Sequence, residues 1–140
     1  MANKEVILQF INLLKDYLQK LEELKVHSEE EFLNNWRVYW EIDHGLHLAI
    51  QAAIDLSREI ITASNFRKPR NYKETFIILR ENKIISGETA QEMQNLVGFR
   101  NRLIHEYLFL DPKKTYEMFQ GKLIYLENFT KEVLRYLETY

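Results

Sequence analysis

The sequence predicts an all-α fold, an up-and-down bundle of about five helices in one domain spanning 1–140. Three observations carry this. Four Gly and two Pro in 140 residues leave too few turn residues for a sandwich or barrel. Apolar residues recur at steps of three and four along nearly the whole chain, with no repeat, low-complexity tract or linker to divide it. Hydrophobic residues at 46% and charged residues at 29% are ordinary for a globular protein and exclude disordered and fibrous classes.

The first helix, about Asn3 to Leu24, carries Ile7, Phe10/Ile11, Leu14, Tyr17/Leu18 and Leu21 on one stripe. Ser28 and Glu31 form a capping-box pair that opens a second helix. Its stripe, from Phe32 and Trp36 through Tyr39/Trp40, Leu46, Ile50 and Ile54 to Ile60/Ile61, predicts one long helix to about Ser64, with Gly45 as its bend. Pro69 disfavours helix before it, and Asn71 with Glu74 resembles a cap for a short helix over about Tyr72 to Glu81. Ser86-Gly87 opens a fourth helix to about His105. Asp111-Pro112 is an N-cap and N1 pair for a fifth. That last helix holds Tyr116, Phe119, Leu123, Leu126, Val133 and Leu137 on a heptad-like seam interrupted by Thr130. The seam packs either within the bundle or against a second subunit.

The absence of cysteine excludes disulfides, thiolate metal sites and a Cys nucleophile. No stretch approaches the ~18 apolar residues of a membrane span. Lys4 and Glu5 open the chain with no long apolar run behind them. The expectation is therefore a cytoplasmic protein with no membrane partner. The net charge of −2 hides an uneven distribution: residues 58–102 hold nine Lys/Arg against five Asp/Glu, and the remainder is acidic. A local basic patch of this kind suits a nucleic-acid partner, whereas a solvated mixed surface is the plainer reading.

Polar residues elsewhere fall where a bundle would put them, but the fourth helix departs from that pattern. Its stripe is Met93, Leu96/Val97, Leu103/Ile104 and Tyr107, with Arg100 in the middle. A buried arginine needs a partner, so either Arg100 reaches an acid in the core or this stripe faces another subunit and a cleft. Gly98, Asn101 and His105 line up beside it. Gly98 suits the close approach of a backbone or ligand, and Asn101 is one turn from His105 and in reach of its ring. Arg100 and His105 are about 140° apart on a straight helix, so two copies across a two-fold axis converge on one groove more naturally than one chain does.

The run Gly98-Phe99-Arg100-Asn101-Arg102-Leu103-Ile104-His105-Glu106-Tyr107 resembles the R-x4-H-x-Y signature of the HEPN superfamily, specifically the HepT-type toxins of the HepT/MntA toxin–antitoxin systems. The likeness extends over nearly the whole chain, including the long second helix around Ala52 to Leu56, the Arg67-to-Phe76 stretch, the Ile84-Ile85-Ser86 turn and the final helix. It implies a homodimer whose two motifs line a shared cleft, acting as a metal-independent endoribonuclease on RNA, with transfer RNA one candidate substrate and no cofactor. Residue by residue, Arg100 and His105 match the catalytic pair, and Asn101 the supporting polar residue. Tyr107 matches the tyrosine to which an MntA-type nucleotidyltransferase, the antitoxin partner, adds AMP. Arg67, Lys68, Arg70, Lys73 and Arg102 are the candidate RNA contacts. The alternative is a non-catalytic HEPN module that binds a nucleotide or the nucleotidyltransferase.

These residue types suit the chemistry. Cleaving RNA without a metal needs a base, an acid and a cation for charge on the phosphorane. Imidazole has the pKa for the first two, and the arginine fork matches phosphate oxygens. One His per motif is too few for both proton transfers, and a dimer provides two. Two other constellations compete with this one. Glu41-x-x-His44, with His47 one turn on, has metal-bundle spacing but only one copy, so no metal is expected. Trp36, Tyr39 and Trp40 read as core or dimer seam before a base-stacking platform.

Overall fold

The computed structural model describes residues 4–105 and 111–139, the side chain of His105 excepted. The described residues form six helices and no strand: α1 (Lys4–Leu24), α2 (Glu29–Asn34), α3 (Trp36–Ala63), α4 (Tyr72–Glu81), α5 (Gly87–His105) and α6 (Pro112–Leu137). The sixth helix corrects the expected count, because the long second helix divides at Asn35. The backbone of Asn35 is extended (φ −116°, ψ 106°) and its side chain accepts from the Arg37 amide at 3.0 Å. One residue thereby ends α2 and caps α3. The helix runs unbroken through Gly45, where a Cβ would lie 2.8 Å from Leu21 Cδ2. The missing side chain at Gly45 serves the close approach of α1 rather than a bend.

α3 is the spine, about 40 Å long for its 28 residues, and α1, α2, α4, α5 and α6 all pack against it. The predicted stripe of α1 is buried at Ile7, Ile11, Leu14, Leu18 and Leu21. Phe76 of α4 meets Phe129 of α6 edge-on, with centroids 5.7 Å apart. The α6 seam is buried in its own bundle at Phe119, Leu123, Leu126, Val133 and Leu137, so it is spent on the monomer core. Thr130 does not interrupt it, because its hydroxyl donates to the Leu126 carbonyl at 2.8 Å. Glu132 of α6 accepts from the Ser86 amide and the Thr89 hydroxyl, which docks the start of α5 on α6.

Trp36 and Trp40 are 59% and 65% exposed and stack edge-on, so they are not core. Phe32 is the buried aromatic of that region, with Tyr39 and Tyr116 against it. Among the described residues no helix is long and apolar enough to cross a membrane.

Candidate functional site

α5 crosses α3 and lies beside α4, and Arg100 stands at that junction. Met93, Leu96, Val97 and Leu103 are buried around it on the same helix face, while Arg100 itself is half-buried. Its partner is not an acid. An Nη of Arg100 donates to Oε1 of Gln51 on α3 at 2.6 Å, and Gln51 Nε2 donates onward to Asp55 Oδ1 at 2.8 Å. The guanidinium carbon also sits 5.5 Å from the centre of the Tyr72 ring, and Arg58 reaches the same ring at 5.9 Å. Both distances fall in the cation–π range. Arg100 Nε is buried with no hydrogen-bond partner among the described residues.

Gln51 belongs to a polar stripe on α3, with Asp43, His47, Gln51 and Asp55 one turn apart in succession. His47 Nε2 lies 3.7 Å from Asp43 Oδ2. Burial pushes the His47 pKa below the ordinary 6.5; Asp43 opposes that, and the positive charges of Arg100 and His44 add to it. Burial conversely raises the Asp43 carboxyl above 3.8, against the pull of His47 and His44. Glu41 and His44 are exposed, and among the described residues no three His, Asp or Glu side chains converge as a metal site.

A cleft of about 520 Å³ opens between α4 and α5, lined by Asn71, Tyr72, Lys73, Glu74, Ile77, Val97 and Asn101. Across the Tyr72 ring a second cleft of about 480 Å³ is lined by Arg58, Lys68 and Arg70 among others. Asn101 and Lys73 therefore share the first cleft, and Lys68 and Arg70 the second. The ammonium of Lys73 comes over Gly98, 3.4 Å from where a Cβ would stand. The gap left by that glycine is thus occupied by the end of a cationic side chain.

Two of the sequence-predicted RNA contacts lie elsewhere or are already engaged. Arg67 donates to both oxygens of Glu81 at 2.8 and 3.1 Å and to Glu74 at 3.0 Å. These bonds tie the α3–α4 connection to α4 and raise its pKa further above the arginine range. Arg102 lines a separate cleft against α6, with Glu117 and Lys122. Arg70, by contrast, has a side chain 85% exposed and only a long 3.6 Å approach to Glu74. His105 is the last residue of α5; its side chain and the whole of Tyr107 lie outside the described residues.

Sequence reasoning missed Gln51, Asp55 and Tyr72, and weighed His47 only beside Glu41 and His44 as a metal site. The α3 residues have a weak sequence signal in common, a polar stripe at i, i+4 on a helix whose other faces are apolar. Tyr72 had none beyond opening α4.

A family model described as ribonuclease HepT-like matches residues 14–133. The chain is 29% identical over 135 residues to the tRNA nuclease HepT of Aphanizomenon flos-aquae, covering 96% of this chain and 90% of that one. It is 28% identical over 93 residues to YutE of Bacillus subtilis, covering 66% of this chain and 65% of the relative. Among solved structures it resembles the tri-AMPylated HEPN toxin of Shewanella oneidensis in complex with MNT antitoxin. The TM-score there is 0.86 at 19% identity, over 94% of this chain and 98% of that one, a likeness of fold.

Proposed function

Because the chain belongs to the HepT-like ribonuclease family, we propose that it is a toxin endoribonuclease that cleaves RNA without a metal and is silenced by a partner nucleotidyltransferase. The likeness to the tRNA nuclease of Aphanizomenon supports transfer RNA as the substrate class.

The observation that supports this most is the setting of Arg100. It is held by an amide and a ring face rather than by a carboxylate, so its positive charge stays available to a phosphate. Arg100 would neutralise the phosphorane as the 2′-oxygen attacks phosphorus. One imidazole takes the 2′-hydroxyl proton, the O2′–P bond forms, and the P–O5′ bond breaks. A second, protonated imidazole gives its proton to the leaving 5′-oxygen. His105 of each chain supplies one of these groups, and a homodimer that joins two motifs in one groove supplies both. Asn101 orients the imidazole, and Lys68, Arg70 and Lys73 contact the RNA backbone around the two clefts flanking Tyr72.

The tri-AMPylated state of the Shewanella toxin in its antitoxin complex supports the mode of control. AMP on the Tyr107 hydroxyl adds a bulky anion within the R-x4-H-x-Y motif, which would compete with RNA for the motif's cation.

The test is cleavage of RNA by the purified chain in the presence of a chelator. Arg100→Ala and His105→Ala should each lower the rate at least about 100-fold while the folded dimer persists. Expression alone should arrest growth. Co-expression with the cognate nucleotidyltransferase should relieve arrest, with added AMP mass on the Tyr107 peptide. Toxicity unchanged in both mutants would instead support a binding module. Cleavage that depends on added metal would overturn the metal-free mechanism.

A further inference from the structure

We propose that Gln51 is a positioning residue for Arg100, an uncharged anchor whose orientation is set by Asp55; the inference deepens the ribonuclease reading and rests on it. A guanidinium is donor-only and an ionised carboxylate is acceptor-only, so the side chain between them must accept on one end and donate on the other. An amide does this while remaining neutral. Here Oε1 of Gln51 accepts from Arg100 at 2.6 Å and Nε2 donates to Asp55 at 2.8 Å. Turning the amide over would aim NH2 at the guanidinium and an oxygen at the carboxylate, losing both bonds. Asp55, one turn along α3, therefore locks the amide in the orientation that Arg100 needs.

The alternative of placing a carboxylate directly on Arg100 would hold it at least as firmly. It would also form an ion pair and compensate the charge that a phosphate must meet. Separating the carboxylate from the guanidinium by one amide fixes the fork without neutralising it. The Tyr72 ring, its centre 5.5 Å from the guanidinium carbon, is a second neighbour that likewise adds no full charge.

Two near-isosteric variants separate this role from simple support. Gln51→Glu keeps an acceptor for Arg100, loses the bond to Asp55 and adds charge. Gln51→Met keeps volume and loses the bond. A merely structural Gln51 predicts that the glutamate variant, which keeps the contact to Arg100 but not the one to Asp55, loses stability while its RNA affinity stays that of wild type. The anchor predicts weaker RNA binding. In the full chain, binding of a 2′-O-methyl oligoribonucleotide that resists cleavage should weaken about tenfold in Gln51→Glu. The slope of log affinity against log salt should fall by about one as one phosphate contact is lost. Gln51→Met should bind within about twofold of wild type and lose about tenfold in kcat on cleavable RNA, because the cation remains but is no longer held in line. Gln91→Glu, the same charge change on an exposed position of α5, should leave binding within about twofold.

Wild-type affinity and salt slope in Gln51→Glu, or wild-type kcat in Gln51→Met, would overturn the anchor. A glutamine-to-glutamate loss matched by Gln91→Glu would overturn it too, since a general field effect would then suffice. A wild-type chain that binds the oligonucleotide yet cleaves nothing overturns the ribonuclease reading alone, and the binding comparison still decides the anchor. One that binds no oligonucleotide overturns both.

Discussion

Tyr72 supports two guanidiniums at once, and its replacement by leucine tests whether the ring matters through its π face or only through its bulk. The ring centre lies 5.5 Å from the Arg100 guanidinium and 5.9 Å from that of Arg58. Arg100 is half-buried and Arg58 exposed, so the two contacts are worth about 1 and about 0.5 kcal/mol respectively. Leucine fills much of the same space with no quadrupole and forfeits both. The stability loss of about 1.5 kcal/mol corresponds to a fall in Tm of about 5 °C for a chain of this size. If the Arg100 share is felt in the transition state, about 1 kcal/mol lowers kcat about fivefold. Tyr72→Phe keeps the face and should stay within about twofold of wild type in both respects. The assays are RNA cleavage under chelation and differential scanning calorimetry on the three proteins. A Tyr72→Leu protein with the expected loss of Tm but unchanged kcat would refute the link from ring to reacting cation. Equal loss in the phenylalanine variant would transfer the role to the hydroxyl.

Other perturbations have equally definite outcomes. Phe129→Ala removes a fully buried ring that meets Phe76 edge-on and should cost about 3–5 kcal/mol in denaturant unfolding, loosening α4 from α6. Arg67→Ala should lower Tm by releasing Glu74 and Glu81. It should leave RNA affinity and its salt slope unchanged, whereas Arg70→Ala should reduce that slope by about one. His47 is held below 6.5 by burial first, with Arg100 and His44 adding to the effect and Asp43 opposing it. As pH falls below 6.5 the unfolded chain takes up this proton first, so stability declines between 6.5 and the lower folded value and is constant above. Asp43, raised above 3.8 by burial, acts with the opposite sign in its own window, where stability falls as pH rises from 3.8 to its folded value. Thermal melts should show Tm falling from pH 7.5 to pH 6 in wild type and falling less in His47→Gln; parallel curves would contradict the burial of that ring.

The helices were legible from local pattern because their causes are local. The α1 stripe, the Ser28–Glu31 capping box, the Asn71 cap and the Asp111-Pro112 start each rest on residues no more than about one turn from the next, and each recurs in the structure. The position of Arg100 within an apolar stripe was legible for the same reason, as an exception to helical period. The break at Asn35 was not. Asn35 sits in a stretch whose apolar period continues across it, and only its own extended backbone separates α2 from α3. Trp36 and Trp40 continue that period too, yet they face away from the packed elements, and no residue near them in sequence encodes that.

The site divides along the same line. Arg100, Asn101 and His105 lie within six residues of one another, so a motif can carry them. The partner of Arg100 is 49 residues away on another helix, and the carboxylates that engage Arg67 are 7 and 14 residues away. Sequence spacing says which side chains one helix presents on a face, but not which face of a second helix arrives opposite. That is decided by burial summed over the whole bundle, with α3 at its centre. Burial brings Gln51 rather than an acid to the arginine, and it commits the α6 seam to the monomer core.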